Sequence, residues 1–196
     1  MTSLFLLFLS ANIFAGTPYA VGDYAKDFNL KNVHGDYVSM KNIDAKGFIV
    51  IFSCNHCPFV VNSEERMIKL HNKYAPKGFP IIAINPNDEE IVPEDSYENM
   101  IIRAEERDFP FEYVYDETQE VAKAYGATHT PQVFLLVREN DKFKVVYTGA
   151  IDDSPRFPER VEEKFLEAAL NNLLNGKKPD PNTTRAVGCS IKWSKN

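Results

Sequence analysis

The run Phe48-Ile49-Val50-Ile51-Phe52 leads, after one serine, into Cys54-Asn55-His56-Cys57-Pro58. Five consecutive β-branched and aromatic residues make a strand covered on both faces, of the kind found in the middle of a parallel sheet. Pro58 marks a helix start, because the N–H groups of a first turn have no intrahelical partner and lose nothing to a proline. Two thiols three positions apart therefore fall where a buried strand hands over to a helix. Open α/β sheets place their sites at that kind of juncture. The chain is thereby restricted to an α/β architecture, and its chemistry to sulfur or a sulfur-bound metal.

Cys-x-x-Cys is also half of a zinc knuckle. The other half would be a second Cys/His pair at similar spacing, and the chain offers only Cys189 and the dispersed His34, His71 and His129. The zinc reading fails on that count, and no cofactor is expected. Three cysteines are too few for a disulfide scaffold, and 196 residues, 44% of them hydrophobic, build a core without staples. The net charge of -6, with no run of Lys or Arg, excludes nucleic acid as a partner.

Leu4 to Phe14 is apolar except for Ser10 and Asn12, and Ala15-Gly16 follows it. The run is too short to span a bilayer and has the length of a signal-peptide core. Residues 1–20 read as a signal peptide, residues 21–176 as the folded domain and residues 177–196 as a C-terminal tail. Export to the periplasm is expected, with no stable membrane insertion after cleavage. Met1-Thr2-Ser3 lacks the usual basic residue; a misassigned start, which would leave the protein cytoplasmic, gives the same pattern.

Downstream, residues 28–40 read as a hairpin turning at His34-Gly35-Asp36. A helix over residues 57–74 would bury Val60, Met67, Ile68 and Tyr74, with Glu64 and Glu65 early and Lys69 and Lys73 late to suit its dipole. Gly78 ends it, and residues 79–85 form a second buried strand. Asp95 caps a helix through Arg107, with Glu98 completing a capping box. Residues 111–115 form a strand, and Asp116 with Gln119 caps a helix that stops at Gly126. Residues 133–137 and 143–148 pair around Glu139-Asn140-Asp141, and Pro158 opens a last amphipathic helix ending at Gly176. The order predicts an α/β fold with a central mixed sheet flanked by helices and an N-terminal β-hairpin extension.

A cycling dithiol needs one accessible, ionised sulfur and a second within bonding reach. Backbone N–H groups at a helix start stabilise a thiolate, and His56 adds a second stabiliser when protonated, so the Cys54 pKa is expected below the free-thiol value of about 8.5. Cys57, flanked by Pro58 and Phe59, should be buried. Cys54 then attacks and Cys57 resolves. Asn55 and Thr130 are the candidate substrate contacts, since a cis bond at Thr130-Pro131 would present the Thr130 backbone to an extended substrate strand.

The strand–CxxC–helix unit, the Thr130-Pro131 before the closing hairpin and the order of elements resemble the thioredoxin superfamily. Cys54-Asn55-His56-Cys57-Pro58-Phe59, Ala83-Ile84-Asn85-Pro86-Asn87-Asp88, Asp116-Glu117-Thr118-Gln119 and Gly188-Cys189-Ser190-Ile191-Lys192-Trp193 narrow the resemblance to a bacterial redoxin, AhpC/TSA-like subgroup. The resemblance implies the thioredoxin fold, a cis bond at Pro131 and a dithiol active site. Its partners would be protein or small-molecule disulfides and a recycling reductant or oxidant. Peroxiredoxins carry a threonine three residues before their reactive cysteine and an arginine near the later strand; here Ile51 stands at the first position and Thr130-Pro131-Gln132 offers no arginine. Hydroperoxide reduction, which the resemblance also implies, is one alternative, and these two departures count against it. A second is copper binding by Cys54, Cys57 and His129, since two thiolates and an imidazole suit copper. Cys189 is either a simple tail thiol or part of a segment folded back onto the site.

Overall fold

The computed structural model describes residues 17–195; the apolar leader segment lies outside them. β1 (Tyr24–Ala25) precedes the expected hairpin, β2 (Leu30–Asn32) and β3 (Tyr37–Val38). Gly35 takes the turn at φ +90°, where a side chain would be strained. β4 (Gly47–Phe52) is buried along its whole length, as the apolar run requires. It leads into α1 (Pro58–Val61) and α2 (Glu64–Tyr74), followed by β5 (Ile81–Asn85), α3 (Tyr97–Glu106), β6 (Glu112–Tyr115) and α4 (Glu120–Tyr125). β7 (His129–Thr130), β8 (Gln132–Glu139), β9 (Lys142–Gly149), α5 (Phe165–Leu174) and β10 (Cys189–Ser190) complete the chain.

The main sheet has the order β1-β9-β8-β4-β5-β6-β2-β3. β5 is parallel to β4 and to β6, while β8 is antiparallel to β4, so the sheet is mixed as expected. Strand alternation splits the core into two faces. Ile49 and Ile51 face a cluster with Met67, Leu70 and Tyr74 of α2, Met100 of α3, and Leu166 and Leu170 of α5. Phe48, Val50 and Phe52 face the other, with Ala122 and Tyr125 of α4 and Ile191 of the C-terminal segment. The covering helices hold β4 rigid, which fixes Cys54 at its carboxyl end.

Four elements differ from expectation. The helix after the cysteines is interrupted at Asn62 and Ser63: the Ser63 hydroxyl donates to Phe59 O at 2.7 Å and its N–H reaches Val60 O, a tight i–3 turn. Ser96, not Asp95, caps α3, its hydroxyl accepting from Asn99 N. Asp116 does cap α4 through Val121 N and Ala122 N, but Gln119 turns away to hold the C-terminal segment. Pro158 opens only a short 3-10 turn; α5 starts at Phe165, because the chain between them runs back to bond Asp153 N through Glu163 O.

The ends of the chain are also more involved than a leader and a tail would be. Pro18 packs under Gly126, and the Tyr19 ring meets Tyr125 edge-on at 5.1 Å, so the folded body begins upstream of Val21. The C-terminal residues run along β9, where Thr184 bonds Tyr147 and Ala150, and return to the cysteines.

Candidate active site

β4 ends at Phe52, and Ser53 N donates to Ile84 O, so the chain leaves the sheet level with the end of β5. Cys57 is the N-cap residue of α1 and Pro58 occupies its first turn. The Thr130–Pro131 bond is cis and lies across from the cysteines. Cys54 Sγ is 3.4 Å from Thr130 Oγ1, and Cys57 Sγ is 3.3 Å from Thr130 O. Cys54, Cys57 and Val60 pack as one small apolar cluster, with Phe59 and Cys189 against it. All three cysteines are free thiols.

Neither sulfur of the motif is open to solvent: Cys54 is 2% exposed and Cys57 0%. This corrects the expectation of an exposed, acidic Cys54. Its thiol is pushed well up, first by donating a hydrogen bond to Cys57, then by burial and by the charge of Asp95. The shared negative charge falls instead on Cys57, whose pKa is lowered to about 5. The Cys54 hydrogen bond is the main cause, with smaller contributions from Cys189 and the Val60 N–H against an opposing cost of burial. As a neutral thiol Cys57 donates to Thr130 O; as a thiolate it accepts from its neighbours.

The group that sequence reasoning missed is Asp95. It is fully buried, and its Oδ1 accepts from Asn55 N at 2.7 Å and His56 N at 3.2 Å. Its Oδ2 meets His56 Nδ1 at 2.8 Å and accepts from Asn87 Nδ2 at 2.6 Å. The carboxylate thus holds the two residues between the cysteines by backbone and side chain together. Ligand atoms of Cys54, His56 and Asp95 lie within 4.8 Å of one another. Asp95 had the signature of a helix cap, and only the long loop after β5 brings it here.

Asn55, expected to contact substrate, is buried. Its amide donates to Glu94 O at 3.0 Å and accepts from the Tyr113 hydroxyl at 2.8 Å, so both ends are used inside the protein. The Thr130 backbone is not open either, because Cys189 of β10 is paired opposite it. His56 keeps a partly exposed ring, 35% accessible, at the mouth of the site. His129 does not join the cysteines: alternation along β7 aims Thr130 at Cys54 and its neighbour away, and His129 Nδ1 bonds Thr128 Oγ1 instead. The copper triad of Cys54, Cys57 and His129 is therefore not assembled.

A mixed sheet in this order, with a Cys-x-x-Cys pair at a strand–helix junction and a cis-proline beside it, defines a thioredoxin-fold protein. The AhpC/TSA family matches residues 21–148, and the chain belongs to that family of oxidoreductases. It is similar to an uncharacterized conserved protein from Geobacillus kaustophilus, 41% identical, with a TM-score of 0.83 over 92% of this chain and 99% of that one. It is 28% identical to the thiol-disulfide oxidoreductase ResA of Halalkalibacterium halodurans, over 80% of this chain and 82% of the relative. The thioredoxin domain of a thiol-disulfide oxidoreductase from Bacteroides vulgatus shares the fold at 21% identity, with a TM-score of 0.56 over 66% of this chain and 88% of that domain.

Proposed function

We propose that this protein exchanges thiols and disulfides through the Cys54/Cys57 dithiol, Cys54 attacking and Cys57 resolving. The observation that carries this reading is the hydrogen-bonded sulfur pair at the β4–α1 junction beside cis-Pro131. Relatives named thiol-disulfide oxidoreductases support it. Cys54 must first lose its proton, and the His56–Asp95 pair, with ligand atoms within 4.8 Å of its sulfur, would take it through a bridging water. The Cys54 thiolate attacks one sulfur of a disulfide; a mixed disulfide forms and the other substrate sulfur leaves as a thiolate. Cys57, as a thiolate, then attacks Cys54 Sγ, forming Cys54–Cys57 and releasing the second substrate thiolate.

The substrates would be protein or small-molecule disulfides, and an external reductant or oxidant would recycle the pair. Insulin reduction compared with hydrogen peroxide and organic hydroperoxide consumption tests the reading. Insulin reduction should dominate. Rapid hydroperoxide turnover with negligible insulin reduction would replace it with peroxidase chemistry.

Export of the folded domain belongs to the same proposal. Among the described residues no helix is long and apolar enough to cross a membrane. Because Pro18 and Tyr19 pack against α4 and the glycine that follows it, cleavage is expected close to Gly16 and not at Val21. Intact-mass measurement of protein recovered from native cells should give a chain starting within a residue or two of Thr17. A soluble chain retaining Met1 would contradict export.

A further inference from the structure

The C-terminal segment lies on the edge that an extended substrate would use. β10 pairs antiparallel with β7, Cys189 opposite Thr130 and Ser190 opposite His129. Gly188 passes so near the cis bond that a Cβ there would lie 2.2 Å from Thr130 O and 3.1 Å from Pro131 N, so no side chain fits. The docking is specific beyond the two paired residues. Ile191 is buried and its N–H donates to Thr128 O at 3.1 Å; Lys192 N donates to Asn87 Oδ1 at 2.9 Å; the Gln119 amide donates to Lys192 O at 2.8 Å. Cys189 is placed by these contacts against the Cys54–Cys57 cluster, and its thiol is hydrogen-bonded to Cys57.

We propose that Cys189 is a third redox cysteine, delivered in cis on the substrate edge, which takes over the Cys54–Cys57 disulfide by exchange at Cys57. The inference rests on the dithiol reading above and deepens it. The Cys189 thiolate attacks Cys57 Sγ; the Cys57–Cys189 bond forms as the Cys54–Cys57 bond breaks. The electron pair leaves on Cys54 Sγ, and the proton given up by Cys189 ends there. One disulfide is consumed and one is made, so no outside oxidant or reductant enters the step. In the reduced protein, burial and the bond to Cys57 push the Cys189 thiol up to about 12, which keeps it inert. Oxidation of Cys57 into a disulfide removes that bond and the thiolate charge, which lowers the cost of ionising Cys189 while the cost of burial stays. Two consequences follow for the cycle. Cys54 is returned to the thiol state while the disulfide is stored on the C-terminal strand, and an external disulfide reaches the Thr130 edge only after that strand has left it.

The test equilibrates wild type, Cys54→Ser and Gly188→Val in glutathione buffers of graded ratio, followed by acid quench, differential alkylation and peptide mapping. Wild type should give both Cys54–Cys57 and Cys57–Cys189 peptides at intermediate ratios. Cys54→Ser should give Cys57–Cys189 as its main disulfide, formed at the expense of oxidised glutathione. Gly188→Val, which pushes the strand off the cis-proline loop without touching a sulfur, should lose Cys57–Cys189 and keep Cys54–Cys57. A wild type that passes from reduced protein to Cys54–Cys57 alone, with Cys189 alkylated throughout, overturns the proposal whether or not Cys54→Ser folds. A wild type with no Cys54–Cys57 peptide at any ratio contradicts the dithiol reading itself.

Discussion

Replacing Cys54 by serine should lower insulin reduction by about 10³-fold or more, the scale of loss when a covalent nucleophile is removed. A serine hydroxyl at neutral pH is no nucleophile toward a disulfide, and Cys57 cannot substitute for Cys54. Cys57 is fully buried, covered by Cys54, Val60 and the Thr130–Pro131 bend. Thr130 Oγ1 lies within hydrogen-bond reach of position 54, so a serine there keeps a partner and the fold should persist. Turbidimetric insulin reduction alongside circular dichroism checks both halves. Activity within tenfold of wild type in a folded Cys54→Ser protein would remove Cys54 from the mechanism.

Asp95 carries the second large effect, and two substitutions separate its two roles. Asp95→Ala leaves Asn55 N, His56 N and Asn87 Nδ2 without their acceptor inside the protein. Uncompensated buried donors of this kind cost about 3 kcal/mol, which for a chain of this size is a fall in Tm of about 6–12 °C. Asp95→Asn keeps one oxygen for the two backbone donors and removes the charge. The sign of its effect on Cys54 follows from Coulomb's law. A negative neighbour disfavours the thiolate and raises the Cys54 pKa, so neutralising it should bring that pKa down. The rate of iodoacetamide capture at Cys54, resolved by peptide and followed against pH, should therefore rise at neutral pH in Asp95→Asn. Loss of the proton acceptor should at the same time slow insulin reduction. A Cys54 capture profile that is unmoved or shifted upward would contradict the assigned electrostatics.

Much of this architecture was legible in the sequence, because the signals that carry it are local. The five-residue apolar run became the central strand, and Gly35, Gly78 and Gly126 fell at turns with positive φ. Thr130-Pro131 became the cis bend beside the two cysteines. What the sequence concealed depends on contacts between distant segments. Asp95 precedes a helix and looks like its cap, yet its carboxylate spends all its hydrogen bonds on residues outside that helix. Gln119 sits at a capping-box spacing, but its amide spans Pro86 O and Lys192 O, one of them 73 residues away. The Cys54 pKa was misjudged for the same reason. Helix position and a neighbouring histidine argue for an acidic thiol, while the burial and the buried carboxylate that reverse the sign come from elsewhere in the chain. The C-terminal segment is rich in Lys, Pro, Asn and Thr and has no periodicity, so nothing local reveals that it returns to pair with Thr130.

The assignment of Cys54 as the attacking sulfur is the claim on which the remaining chemistry depends. Cys57→Ser removes the resolving thiol, so a mixed disulfide with a protein substrate can no longer be discharged and should accumulate. Incubating reduced Cys57→Ser with insulin, quenching in acid and mapping the cross-linked peptides shows which cysteine carries the substrate. The account predicts a dominant cross-link through Cys54, absent when Cys54 is also replaced by serine. A cross-link found mainly at Cys189, or no cross-link at all, would contradict it.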